Sequence, residues 1–116
     1  MKIIVYYKTD AGNSPVEDWL LSLQTKQFEK CIWVLRLIEE LDRVPGEYFQ
    51  KMENTEDIWE VRIQFGNNIF RILSFFDGQK LIILTHGFTK KTQKTPRKEI
   101  ELAQQRKKDY FRRQKI

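Results

Sequence analysis

Ile3-Ile4-Val5-Tyr6-Tyr7 is a run of β-branched and aromatic residues that stops at the turn formers Thr9-Asp10-Ala11-Gly12-Asn13, and it predicts a first strand. Ser14-Pro15-Val16-Glu17 then sets a hydroxyl at the N-cap, a proline at the first helical position and a carboxylate in the first turn. Together these satisfy orphan amide donors and suit the helix dipole. Val16, Trp19, Leu20 and Leu23 share one face of the helix so begun. Phe28, Cys31, Ile32, Leu35, Ile38 and Leu41 recur at threes and fours, with Glu29, Arg36, Glu39 and Glu40 mostly opposite. That spacing predicts a second helix from about Thr25 to Arg43, stopped by Pro45-Gly46.

From Ile58 the period falls to two: Trp59, Val61, Ile63 and Phe65 point one way, Glu60, Arg62 and Gln64 the other. Gly66-Asn67-Asn68 turns the chain into a strand from Ile69 to Phe76, and Asp77-Gly78 turns it into another from Lys80 to Phe88. The result is an antiparallel three-strand meander. With two-residue loops at Asn67-Asn68 and Asp77-Gly78, Phe65, Phe70, Ile72, Phe76, Leu81 and Ile83 form an apolar face that carries the two helices. The opposite face gathers Arg62, Gln64, Arg71, Ile82, Leu84, His86 and Phe88, with two arginines side by side in mid-sheet. Thr95-Pro96 repeats the cap-plus-proline signal and opens a last helix, Arg97 to Arg113. Its apolar stripe of Ile100, Ala103 and Tyr110 is narrow, which predicts weak anchoring. The fold class expected is α+β, in one domain spanning residues 1–116.

Charge divides the chain. Residues 1–84 hold 10 Lys/Arg against 13 Asp/Glu, and residues 85–116 hold 11 against 3. Clustered cations gain free energy by releasing counterions from phosphates, so a polyanion partner is implied; a solvated basic helix is the plainer account of the same charges. Cys31 is the only cysteine and lies in an apolar run, as a small buried hydrophobe would, so a reducing compartment and a cytoplasmic location are expected. The N-terminal apolar run is too short for a signal peptide, and no stretch of about 18 apolar residues offers a membrane span.

One histidine and one cysteine do not supply the three or four ligands of a zinc site, and there is no Gly-rich phosphate loop, so neither metal nor cofactor is expected. What remains is cationic. Arg62 and Arg71 offer rigid bidentate forks for phosphate, and Lys90, Lys91, Lys94, Arg97 and Lys98 follow in sequence. Phe88 offers a ring for an unpaired base, and His86 has a pKa suited to proton transfer. The alternative for each is structural: a surface ion pair for the arginines, a solvated turn for the lysines, a buried hydrogen-bonded imidazole for His86, core for Phe88.

Trp59-Glu60-Val61-Arg62, Phe70-Arg71-Ile72-Leu73 and His86-Gly87-Phe88-Thr89-Lys90-Lys91-Thr92-Gln93-Lys94-Thr95-Pro96 resemble the HigB branch of the RelE/ParE toxin superfamily, nearest its phage-derived group. Glu99-Ile100-Glu101-Leu102-Ala103 and the Arg106 to Tyr110 segment resemble the closing helix of that family. The resemblance implies a RelE-like fold of N-terminal strand, two helices, meander and basic C-terminal helix. It implies a toxin of a type II toxin–antitoxin system, an endoribonuclease that inhibits translation by cutting mRNA on the ribosome with the 2′-hydroxyl as nucleophile. Its partners would be mRNA on the ribosome and a helix-turn-helix antitoxin. By position, Arg62, Arg71, Lys90 and Lys91 take the catalytic places, with His86, Phe88, Lys94, Arg97 and Lys98 on the RNA. Two other readings stay open: a nonenzymatic module binding nucleic acid or protein, and a gyrase-inhibiting toxin of the ParE kind. Two surfaces are open to the antitoxin, the cationic face and the helical side around Trp19, Phe28 and Trp33; the resemblance favours the helical side, since HigB-type antitoxins often bind away from the active site, and Trp33, off the main stripe of the second helix, is a candidate contact there.

Overall fold

In the computed structural model, which describes residues 1–114, the first strand, β1 (Ile3–Tyr6), lies parallel to the last, β5 (Leu81–Thr89), with Ile3 opposite Leu81 and Tyr6 opposite Leu84. Between them come α1 (Pro15–Leu21), α2 (Thr25–Glu40), β2 (Phe49–Lys51), β3 (Trp59–Phe65) and β4 (Asn68–Asp77), and α3 (Arg97–Gln114) closes the chain. The strands form one mixed five-stranded sheet in the order β1-β5-β4-β3-β2. The expected α+β class holds, but the layout differs: a further strand, β2, follows α2 and pairs with β3 through Phe49–Val61, Gln50–Glu60 and Lys51–Trp59, so the antiparallel unit has four strands rather than three.

The N-cap expected for α1 is formed, the Glu17 amide donating to Ser14 Oγ at 3.2 Å with Pro15 at the start of the helix. α2 stops at Glu40, three residues before the expected Arg43, as Leu41 turns extended (φ −86°, ψ 134°). Lys2 caps the end so left: its ammonium donates to the Ile38, Leu41 and Asp42 carbonyls.

Both tight turns differ from expectation, with opposite consequences for the faces. The first loop is Gly66-Asn67, so that Phe65 pairs with Asn68, and Gly66 takes the positive φ (59°) of a primed hairpin turn. Sliding a two-residue loop by one position displaces the pairing by two, and every side chain keeps its face. The second loop has three residues, Gly78-Gln79-Lys80, since Asp77 pairs with Leu81. That one-residue change swaps the near end of β5: Ile82 and Leu84 join the α1/α2 side with Val61, Ile63, Phe70 and Ile72, while Leu81 and Ile83 join Leu73 and Phe75 on the other. A bulge at Thr85, between the pairs Ser74–Leu84 and Leu73–His86, reverses the swap, so His86 and Phe88 return to the face of the arginines.

α3 covers that second face and is firmly held, contrary to the weak anchoring its narrow stripe predicts. Ile100 and Ala103 are buried, and Tyr110 and Phe111 pack on Phe75 with ring centroids 5.4 and 5.7 Å away. Polar bonds to loops the stripe cannot reveal add to this: Tyr110 Oη donates to Asp77 at 2.7 Å, Lys107 to the Glu56 carbonyl at 2.7 Å, and Arg113 to the Lys8 carbonyl at 2.8 Å. The guanidiniums of Arg106 and Arg113 lie over the Tyr7 ring at 5.5 and 5.3 Å. Among the described residues no helix is long and apolar enough to cross a membrane.

Candidate functional site

Two adjacent rows of side chains cross the sheet on the α3 side. One row is Gln50, Glu60, Leu73 and His86; the next is Arg62, Arg71 and Phe88, with Arg62 directly opposite Arg71 and Arg71 opposite Phe88. Period-2 alternation brings the arginines together, and the Thr85 bulge brings His86 and Phe88 into line with them. The structure thus collects Arg62, Arg71, His86 and Phe88 on one face, as the sequence predicts.

A residue outside the predicted set sits among the arginines. Glu60 is only 8 % exposed, and its Oε1 lies 3.6 Å from Arg62 Nε and 3.5 Å from Arg71 Nε. Its other oxygen accepts a 2.7 Å hydrogen bond from the Thr95 hydroxyl, in the loop leading to α3. Arg71, 7 % exposed, donates through Nη1 to the Phe70 carbonyl at 3.0 Å. Arg62 is half-buried and reaches the other way, to Gln50 Oε1 at 3.0 Å and the Gly46 carbonyl at 3.4 Å, so β2 supports the site as well as the sheet. Parity along β3 alone puts Glu60 beside Arg62, and this was the available signal; Gln50 and Thr95 had none.

Lys90 leaves the sheet with its amide bonded to the Ile69 carbonyl at 2.7 Å. Burial pushes its ammonium below the ordinary lysine range, Arg71 and Arg62 push the same way, and Glu60 opposes them. Burial likewise lowers the Arg71 pKa, against the pull of Glu60. Arg62 and Arg71 thus bracket one carboxylate, and the charges of all three act on Lys90. Lys91 and Lys94, on the loop, and Arg97 and Lys98, on the first turn of α3, are exposed, and none of them shares the ion pairs of Arg62 and Arg71 with Glu60. Phe88 is half-buried and stacks on His86, centroids 5.7 Å apart, leaving part of its ring open beside Arg71.

His86 is 7 % exposed and joins β5 to α3: Nδ1 is 3.0 Å from Thr85 Oγ1 and Nε2 3.3 Å from Glu99 Oε1. Burial holds its pKa below the ordinary histidine range; Glu99 pulls the other way and Arg106 adds to the depression. The unfolded chain then binds a proton near pH 6.5 that the folded chain does not, so stability falls as pH drops through about 6.5 toward the folded value. Because His86 is the only histidine, melting temperatures between pH 7.5 and 5 isolate it. The unmodified chain is expected to lose melting temperature across that window, and His86→Leu to flatten the slope whatever its absolute stability. Equal slopes would contradict the buried neutral imidazole.

The family model described as phage-derived protein Gp49-like (DUF891) matches residues 18–108, from within α1 into α3, and so takes in β2 to β5 and all the cationic side chains just described. No curated protein matches the chain.

Proposed function

The chain belongs to the phage-derived Gp49-like family, which is associated with the toxins of toxin–antitoxin pairs, and from that premise we propose that it is such a toxin, of the HigB type, cutting mRNA on the ribosome without a metal ion. The observation that carries this reading is the pair Arg62 and Arg71, directly opposite one another on β3 and β4 with Glu60 between their guanidiniums, and with Lys90 following just past β5. Cleavage by attack of a 2′-hydroxyl on the adjacent phosphate builds negative charge on the phosphoryl oxygens. Donors fixed on neighbouring strands stabilise that charge without reorganising during the reaction. Arg71 and Arg62 take this role. Lys90, more easily deprotonated than a solvated lysine, serves proton transfer at the nucleophile or the leaving oxygen. Phe88 supplies a stacking surface next to Arg71, and the exposed Lys91, Lys94, Arg97 and Lys98 track the strand beyond it.

The test is a comparison of one labelled mRNA free in solution and on programmed ribosomes. Cleavage on ribosomes alone, leaving 2′,3′-cyclic phosphate ends, is the expected result. RNA that is bound but left whole in both samples would make the chain a binding module, and supercoiling defects with intact mRNA would make it a gyrase inhibitor. The cognate partner in this reading is a helix-turn-helix antitoxin. Trp33 supports docking on the helical side: it is 48 % exposed, packs edge-on against Tyr48 and carries Lys30 over its ring at 4.8 Å.

A further inference from the structure

Among the described residues Glu60 is the carboxylate that faces both arginines, and its two oxygens have separate partners. We propose that Glu60 is the internal counter-anion of the site: Oε1 holds the seat between the Arg62 and Arg71 guanidiniums that a phosphoryl oxygen of the bound strand takes, and RNA binds by displacing it. This deepens the reading of the arginine face as an RNA site and rests on it. A carboxylate oxygen and a phosphate oxygen seek the same guanidinium N–H edges, so the two ligands compete for one place.

The resting contacts are loose enough to yield. At 3.5 and 3.6 Å they exceed normal charge-assisted hydrogen bonds, and Arg62 Nε and Arg71 Nε are both buried without a hydrogen-bond partner. An in-line phosphate acceptor would recover what those two N–H groups forgo. The second oxygen supplies the exit. Thr95 holds Oε2 at 2.7 Å, so the carboxylate gives up the arginines without being left unpaired, and it stays tied to the loop that carries Lys91 and Lys94. While seated, Glu60 offsets part of the positive charge of Arg62 and Arg71; once displaced, it leaves them to the strand.

Glu60→Gln keeps the size and the acceptor for Thr95 and removes the charge. Binding of a short 2′-O-methyl single strand, which has no nucleophile to be cleaved, is measured by anisotropy over a salt series. The variant is expected to bind about tenfold or more tightly at low salt because no anion has to be displaced, with the slope of log K against log salt little changed, since the same phosphates are neutralised in both complexes. Glu60→Asp retains the charge but is one methylene too short to sit between both Nε atoms, and it too is expected to tighten binding. Equal or weaker binding by Glu60→Gln overturns the proposal, as does tightening confined to Gln, which would reflect net charge alone. Should either variant fail to fold, the unmodified chain decides. Its Arg62 and Arg71 Nε–H resonances are expected to move when the strand is added, and resonances that stay fixed while RNA binds overturn the proposal. Inorganic phosphate separates this inference from the RNA reading. If phosphate moves the two resonances in a chain that binds no RNA, the Glu60 seat stands and the RNA reading falls; if neither ligand moves them, both fall.

Discussion

Arg71→Lys is expected to lower cleavage of ribosome-bound mRNA on the order of 10²-fold or more, and to relieve growth arrest when the chain is expressed, while the chain still folds with a smaller loss of melting temperature than Arg71→Ala. Lysine keeps the charge but loses the fork. Arg71 donates to the Phe70 carbonyl through Nη1 while its Nε faces Glu60, and a single ammonium cannot serve both and still present an N–H edge to phosphate. Lysine is more informative here than alanine. At 7 % exposure, truncation to Ala would leave a void and a buried carboxylate with one partner fewer, and breaking a buried charge pair costs about 3–5 kcal/mol, enough to confuse lost activity with lost fold. Initial rates on programmed ribosomes, alongside a thermal melt, separate the two. Cleavage at the unmodified rate by a folded Arg71→Lys chain would remove the bidentate role from Arg71.

The Arg62–Arg71–Phe88 row was legible because the departures of register at the two turns either kept side-chain parity or had it restored. The misplaced first loop preserved parity, and the error at the second loop was undone by the bulge at Thr85, so His86 and Phe88 came out on the right face through two departures that cancel. Leu81 to Leu84 lie between the two departures and came out inverted. β2 has only three residues, too few for a period to emerge, although it buries Phe49 against Trp59 and sends Gln50 to Arg62. The anchoring of α3 depends on Asp77, Glu56 and Lys8, residues distant in sequence whose proximity only the fold creates. Pattern reading sees apolar stripes and charge signs, and it sees polar partnerships poorly, because each needs one particular residue at one particular distance. Glu60 belongs to both classes: its place on the arginine face follows from period two, its hold on Thr95 does not.

Gly87 lies in the same strand, between His86 and Phe88, and its replacement by alanine is expected to destabilise the fold by about 3 kcal/mol despite improving the strand propensity. On propensity alone Ala is preferred in a strand interior by roughly 0.5–1 kcal/mol. The surroundings outweigh that gain. Gly87 pairs with Ile72 and so faces α1, where an added Cβ would overlap the Trp19 ring, 2.6 Å from Cδ2 and 2.7 Å from Cζ3, with Cε3 nearer still. These distances are about 1 Å short of ordinary contact. The indole cannot swing away freely, because it stands edge-on against Phe70 at 5.6 Å and its helix is fixed by the buried Val16 and Leu20 on either side. The strain is shared between α1 and β5, and a displaced β5 carries His86 and Phe88 out of line with Arg71, so activity should fall with stability. At about 4–8 °C per kcal/mol for a chain near this size, the melting temperature is expected to drop by about 12–24 °C. A double-mutant cycle identifies the cause. Trp19→Leu destabilises by itself, yet in the Gly87→Ala background it should cost far less or even restore stability, since the ring that meets the new methyl is gone. Additive losses from the two substitutions would show that the glycine is required for some reason other than the approach of Trp19.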